Sequence, residues 1–311
     1  MSTPAPTQHI WVLGEALMDC VAQPDGSLRP LMGGSPFNLA RAAALRGARV
    51  GFLNPLSTDL FGQQMHAQLA ADGVEMLMPV SQMPTSLAVV QISQGQPSYG
   101  FYREGIADRD YTPTQVLAQL ATTSPGVLHT GSLLLVPPEH EKVLAVLRGA
   151  KALGWTVSVD VNLRPKLAAN LAAYVAAVRH ITALADWIKA SDEDLETLGV
   201  AQPERANAAA IAQTFAAQGA SRVALTFGAQ GAYLVVDGHS AEQDVPPVTL
   251  VDSVGAGDTF WGNCLGDWVL QPSGAAHRVA ATLRQAMCAA AVNCTRSGCQ
   301  PPRHQEVLTQ L

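Results

Sequence analysis

Asp252-Ser253-Val254-Gly255-Ala256-Gly257-Asp258-Thr259-Phe260 places three small residues, Gly255, Ala256 and Gly257, just ahead of an apolar helical pattern made by Phe260, Trp261, Cys264, Leu265 and Trp268. Glycine at a helix start lets the backbone approach a ligand closely. The N–H groups there have no intrahelical partner and the helix dipole adds positive potential, so the segment predicts an anion site. Asp258 falls in the first turn beside that site, as a carboxylate able to take a proton. An anion hole next to a base is the pair that phosphoryl transfer from a nucleotide to an alcohol needs. Taken alone, the segment fits an ordinary glycine-started helix equally well. A Rossmann fingerprint fits worse, because the third glycine is missing and no clear strand leads directly in. A P-loop in its usual form is excluded, because the chain contains no Gly-Lys dipeptide.

Outward from this segment, short apolar strands alternate with amphipathic helices. Strands are predicted at 9–13, 48–53, 127–130, 156–161, 187–189, 222–226 and 232–236. Helices are predicted at 35–46, 61–72, 139–153, 171–184, 204–218, 256–270 and 275–295. Ser35-Pro36 reads as an N-cap followed by proline at the first helical position, and Gly73 as a helix terminator. This alternation predicts an α/β fold with a mostly parallel sheet covered by helices on both faces, and sites at the carboxyl ends of its strands. The pattern changes at 86–93 and 98–103, two strands joined by Gln94-Gly95-Gln96-Pro97. With the stretch 19–23 they form a small separate sheet, read as a lid over about 15–30 and 85–110 on a single domain of 1–311.

Other segments carry polar residues where such a fold puts ligands. Gly33-Gly34-Ser35-Pro36-Phe37-Asn38-Leu39-Ala40 opens a helix whose first turn carries Asn38, a donor and acceptor suited to a polyol. Asp19 follows the first strand, and its carboxylate can accept two hydroxyls. Read singly, Asp19 and Asn38 are solvated polar residues. Asp160-Val161-Asn162-Leu163-Arg164-Pro165 ends a strand, and Arg164 can neutralise a phosphoryl group or hold a substrate oxygen. Lys189-Ala190-Ser191-Asp192-Glu193-Asp194 also follows a strand, although Ser191 with Asp194 is equally a capping-box variant. Thr226-Phe227-Gly228-Ala229-Gln230-Gly231 is a glycine turn between two strands, which a plain tight turn explains as well.

Composition narrows the function classes. The chain has 311 residues, of which 48% are hydrophobic and only 14% charged, so it buries a large core and is not disordered. A formal net charge of -6 with no long basic run argues against nucleic-acid partners. No apolar run reaches transmembrane length, and residues 1–8 show no secretory pattern. Five cysteines, Cys20, Cys264, Cys288, Cys294 and Cys299, include no C-x-x-C pair, which predicts reduced thiols in a cytoplasmic protein rather than a disulfide framework or zinc site. No Gly-x-Ser-x-Gly elbow is present.

Together the five segments resemble the ribokinase-like (pfkB) carbohydrate kinase family, in that family's order and across nearly the whole chain. The C-terminal signature is similar to D-T-x-G-A-G-D, with Ser253 and Val254 in its middle; the N-terminal one is similar to G-G-x-x-x-N-x-A, matched by Gly33 to Ala40. The resemblance implies a three-layer α/β/α core with a small β-sheet lid, and an ATP-dependent kinase acting on a sugar hydroxymethyl. It implies that Asp258 takes the proton while the backbone around Gly255, Ala256 and Gly257 holds the phosphoryl. Asp19, Gly33, Gly34 and Asn38 would hold the sugar. Asn162, Lys189, Ser191, Thr226, Gly228 and Gly231 would line the nucleotide site, with Asn293 near its base. Magnesium would come with ATP, positioned through water by Asp194, which stands where many members carry glutamate. A potassium ion would sit beside Asp252, completed by residues near 296–299. Phe101-Tyr102-Arg103 with Ala107-Asp108, and Asp160-x-Asn162-x-Arg164, are similar to bacterial fructokinases. This brings Phe101, Arg103 and Arg164 to a fructose, with 2-keto-3-deoxygluconate as the alternative substrate and a non-catalytic sugar- or nucleotide-binding protein as the alternative class. A homodimer through the lid is the partner this family pattern allows.

Overall fold

The computed structural model describes residues 8–93 and 96–310. In chain order its strands are β1 (Ile10–Val12), β2 (Leu17–Ala22), β3 (Leu28–Gly33), β4 (Val50–Phe52), β5 (Val74–Met76), β6 (Ser86–Ser93), β7 (Gln96–Tyr102), β8 (Val127–Gly131), β9 (Thr156–Asp160), β10 (Trp187–Ser191), β11 (Arg222–Thr226), β12 (Ala232–Val236) and β13 (His239–Gln243). The helices are α1 (Ser35–Leu45), α2 (Leu60–Asp72), α3 (Pro113–Leu120), α4 (His140–Ala152), α5 (Leu171–Thr182), α6 (Asp192–Thr197), α7 (Ala208–Ala217), α8 (Ala256–Leu270), α9 (Val279–Cys294) and α10 (His304–Leu308).

Nine strands form one sheet in the order β13-β12-β11-β10-β9-β8-β1-β4-β5. Only the pairs made by β12 are antiparallel. Alternate residues of each central strand serve opposite faces. In β1, Ile10 and Val12 pack with Phe37, Met65, Phe260 and Leu283, beneath α1, α2, α8 and α9. Trp11 and Leu13 pack with Val116, Val146, Tyr174 and Ile211, beneath α3, α4, α5 and α7. This gives three layers, with both sheet faces dry, as a parallel sheet requires. Among the described residues no helix is long and apolar enough to cross a membrane.

Helix ends follow their sequence signals. Asp59 accepts the Gly62 N–H to start α2, and Gly73 stops it in the left-handed conformation at φ 85°. Pro36 sits in the first turn of α1, as read, but the N-cap is Gly34 rather than Ser35, and this leaves the Ser35 hydroxyl for other work. The small sheet is real and larger than the sequence suggests: four strands in the order β3-β2-β6-β7. β6 and β7 pair antiparallel, with Gln96 and Pro97 already inside β7; the predicted turn residues Gln94 and Gly95 lie outside the described residues. Chain crossings at 13–16, 34–35, 84–86 and 103–108 join this sheet to the three-layer core.

Candidate active site

The carboxyl ends of β9 and β10 and the first turns of α1 and α8 converge on Asp258. Gly255 caps α8 in the left-handed conformation at φ 75°, and a Cβ there would lie 2.1 Å from the Cys299 sulfur, so only glycine fits. The Ala256 N–H is turned to the Ser253 carbonyl at 3.2 Å. The anion-facing donors are therefore those of Gly257 and Asp258, which first-turn geometry leaves without an intrahelical acceptor. Ala256 serves the predicted anion hole through its backbone shape rather than as a donor.

A second positive element lies beneath this turn. The Lys189 ammonium is 3.0 Å from where a Gly257 Cβ would stand, and it bonds both carboxylate oxygens of Asp160 at 3.0 Å. Burial works against the Lys189 charge, but Asp160, Asp194 and Asp258 outweigh it and raise its pKa. The ammonium is thus held charged at the base of the first turn of α8.

Asp258 is buried. Its Oδ2 accepts from Asn38 Nδ2 at 2.9 Å, and its Oδ1 from Asn162 Nδ2 at 3.5 Å. Burial pushes its carboxyl above the usual carboxylate range; hydrogen bonds from Asn38 and Ser35, then Lys189 and Arg164, pull it back. A base tuned upward in this way suits proton transfer near neutral pH. Asn162 has a positive φ of 37°, and its side-chain amide lies on Asp258 and on the Ser35 hydroxyl, the latter at 2.8 Å. Ser35 was missed, although it lies inside the Gly33–Ala40 segment.

Opposite Asp258 stands Asp19 on β2. Burial, offset by Arg164 and reinforced by Asp258, raises its pKa to about 6. Its Oδ2 lies 2.2 Å from where a Gly33 Cβ would be, so the glycine makes room for the carboxylate. Gly34, at φ 104°, presses against the Glu15 carbonyl, where a Cβ would come within 2.6 Å. Asn38 keeps a buried carbonyl oxygen with no hydrogen-bond partner, an acceptor aimed beside the base. Phe101, on β7 opposite Ala88, packs over Leu17 and Leu133 on the inner side of the small sheet. The Arg164 guanidinium donates to Asn162 Oδ1 at 2.6 Å and lies in the field of both Asp19 and Asp258. Arg103, the predicted sugar contact on the small sheet, holds a buried acid. It is buried, forks onto both oxygens of Asp108 at 3.0 and 3.3 Å, and donates to Ser86 Oγ.

Strand register aligns Ser191 with Thr226 at the adjacent carboxyl ends of β10 and β11. Gly228 has φ 50° and open space around it, whereas Gly231 is needed for packing, since a Cβ would lie 2.1 Å from the Gln243 carbonyl. Three predicted residues are engaged with the backbone. The Asp194 carboxylate accepts the Leu163 N–H at 2.6 Å and the Ser191 N–H at 2.8 Å, closing a capping box that braces the ends of β9 and β10. Asn293 is fully buried; it donates to the Val254 carbonyl and accepts the Gln300 N–H, so it supports the loops around the site. Asp252 accepts the N–H groups of Val254 and Gly298, which ties the 252–254 loop to the 296–299 loop. Among the described residues no group of three His, Cys, Asp or Glu could hold a metal.

Residues 7–306 match the family described as pfkB family carbohydrate kinase. A fructokinase from Rhizobium leguminosarum bv. trifolii is 30% identical over 264 residues, covering 79% of this chain and 76% of that one. The crystal structure of a fructokinase with bound ATP from Xylella fastidiosa superposes with a TM-score of 0.83 at 29% identity, over 97% of each chain. A putative ribokinase II from E. coli, in complex with ATP and Mg2+, gives 0.82 at 25% identity, over 97% of this chain and 98% of that one. The chain belongs to the pfkB family of carbohydrate kinases.

Proposed function

We propose that this kinase transfers the γ-phosphoryl group of ATP to the hydroxymethyl of D-fructose, giving D-fructose 6-phosphate and ADP. The observation that carries the reading is the Asp258 carboxylate, buried and oriented by Asn38 in the first turn of a helix with open N–H groups. Asp258 accepts the hydroxyl proton as the sugar oxygen bonds to the γ-phosphorus, and the bridging oxygen leaves with ADP. The Gly257 and Asp258 N–H groups and the Lys189 ammonium meet the charge on the phosphoryl oxygens. Asp19 and the Asn38 carbonyl oxygen accept sugar hydroxyls, Arg164 donates to a sugar oxygen, and Gly33 and Gly34 let the sugar come close. Thr226, Gly228 and Ser191 border the nucleotide. Magnesium supplied with ATP neutralises phosphate charge.

The small sheet acts as a lid that carries Asp19 and Phe101 over the sugar and excludes water. Its open edges, β3 and β7, are where a second copy would add a strand. The loop pair tied by Asp252 is the place for a potassium ion, through backbone carbonyls. ATP as co-substrate and five free cysteines fit a cytoplasmic setting. A coupled ADP-release assay with Mg-ATP and fructose, 2-keto-3-deoxygluconate, ribose, glucose and adenosine tests the substrate. Turnover on fructose above the rest supports it. Preference for another sugar discards fructose and keeps the kinase.

A further inference from the structure

Strand β9 ends at Asp160, and the residues after it carry the chain out of the sheet beside Asp258. Asn162 there holds φ 37°, with its amide 2.8 Å from the Ser35 hydroxyl and 3.5 Å from Asp258 Oδ1. Gln202 and Asp237 also have positive φ, but they stand in exposed bends. A residue held in a sparsely populated conformation against reacting groups persists only where its surroundings over-determine it.

Backbone N–H groups tie this segment to its neighbours. The Val161 N–H donates to the Lys189 carbonyl of β10 at 2.9 Å, and the Leu163 N–H to Asp194 of α6 at 2.6 Å. The Arg164 N–H donates to the Tyr174 hydroxyl of α5 at 3.2 Å. From its other end, Arg164 Nη1 donates to the carbonyls of Asn162 and Leu163 at 3.1 and 2.9 Å. Of these anchors, Tyr174 is the one that core packing leaves unexplained. It is 0% exposed, and its ring packs with Trp11, Leu13, Val178 and Ile181. Phenylalanine would fill the same space without burying a hydroxyl, which is unfavourable unless that hydroxyl is hydrogen-bonded. The hydroxyl is explained by what it holds, the Arg164 N–H.

We propose that Tyr174 is a positioning residue for phosphoryl transfer: its hydroxyl anchors Arg164, and this keeps Asn162 in the backbone conformation that puts its amide on Ser35 and Asp258. The Asn162 amide donates to Ser35 Oγ, which leaves the Ser35 hydroxyl proton to bond Asp258. Two donors from different elements thus fix the plane of the carboxylate: Asn38 from α1 on Oδ2 and Asn162 from the end of β9 on Oδ1. Without the Tyr174 tie, residue 162 relaxes toward ordinary backbone, the Ser35 hydroxyl loses its guide, and Asp258 is held on one side only. Tyr174 lies in the core and meets neither substrate; it acts through Asn162. This rests on Asp258 being the base, as proposed above.

The test compares full-length Tyr174→Phe, Asn162→Gly and the double variant with the parent, using Mg-ATP and the acceptor sugar that the parent turns over best. Phenylalanine keeps the ring in the core, so the melting temperature should fall by no more than about 2–4 °C, the shift for one lost hydrogen bond in a domain of this size. At saturating sugar, kcat should fall by about 10- to 10²-fold, as a small misplacement at the reacting centre does. KM for ATP should stay unchanged. Glycine at position 162 takes positive φ freely but carries no amide, so it loses kcat whatever Tyr174 does. The double variant should therefore be no slower than Asn162→Gly. A parent-like kcat in Tyr174→Phe, or losses that multiply in the double variant, would overturn the proposal. A crystal structure of Tyr174→Phe reads the same question without turnover. Asn162 should leave positive φ and the Ser35 hydroxyl; Asn162 unmoved would overturn the proposal. Asp258→Asn, run in parallel, separates the two readings. Parent-like turnover there removes the base itself, whereas an inactive Asp258→Asn beside a normal Tyr174→Phe removes only the role of Tyr174.

Discussion

Helices α1 and α8 both begin on glycine in a positive-φ conformation, and both point their first turns at Asp258, yet they do opposite things with the positive end of the helix. At α1, the chain supplies its own anion. Glu15 accepts the Ser35 N–H, and the Glu15 carbonyl is pressed against Gly34. At α8, no side chain caps the turn, and the Lys189 ammonium lies beneath it. A helix N-terminus becomes a ligand's anion site only where the protein withholds its own carboxylate. The plugged end is free to serve as a platform. α1 contributes the Ser35 hydroxyl and the Asn38 amide, which orient the base.

Changing the open end has the largest expected effect. Lys189→Met removes the charge under the anion hole and strands Asp160 in the core, which costs about 3–5 kcal/mol of stability. Chemical denaturation should show that loss. The folded remainder should lose kcat by about 10²–10³-fold, as when one preorganised group is removed from an oxyanion site. The double change Lys189→Met with Asp160→Leu should recover stability without recovering kcat. Recovery of both would make the pair purely structural.

Across the site from that end, Asp19 gives a pH signature. Its raised pKa, about 6, means that the sugar's acceptor is lost as pH falls through that value, so KM for fructose should climb below about pH 6. The sign for stability is opposite. A raised carboxylate pKa burdens the folded state while the group is charged, and protonation relieves that burden as pH falls from above 6 toward the ordinary 3.8. Asp19→Asn should raise KM at every pH and abolish the step. A KM profile flat from pH 5 to 8 in the parent would detach Asp19 from the sugar.

Glycines sharpen the comparison at the small end of the scale. Gly228→Ala meets open space but keeps φ 50°, so only the left-handed strain of about 1–2 kcal/mol should appear in the melting free energy. Gly34→Ala adds a collision with the Glu15 backbone at 2.6 Å and should cost more, together with activity. Equal costs would show that the α1 turn tolerates movement.

Much of this was legible in the sequence, for reasons that also explain the gaps. β11 and β12 match the reading residue for residue, and so does α8, because apolar runs bounded by turn residues fix them locally. β13 was missed. His239-Ser-Ala-Glu-Gln has no apolar alternation, and it becomes a strand by pairing with β12. β3 was missed because Leu28-Arg-Pro lies exposed on an edge and carries a proline. In the site, the segments that hold Asp258, Asn38, Asp19 and the glycines stood out in the sequence, and the resemblance to the pfkB kinases supplied their roles. The contacts of Asn162, Arg103, Asp194 and Asn293 were not legible, since each depends on which distant group its side chain meets. Asn162 needs a positive φ to reach Asp258, Asp194 needs the Leu163 N–H, and Arg103 needs a buried Asp108. Glu15 gave no signal beyond following Gly14.

The most direct test is Asp258→Asn, measured for fructose phosphorylation alongside ATP binding by calorimetry. Asparagine keeps the shape and one acceptor oxygen for the amide of Asn38 or Asn162, but it cannot take the proton. The account predicts unchanged ATP affinity and a kcat lowered by at least about 10²–10⁴-fold. A folded variant that binds ATP and turns over at the parent's rate would contradict it.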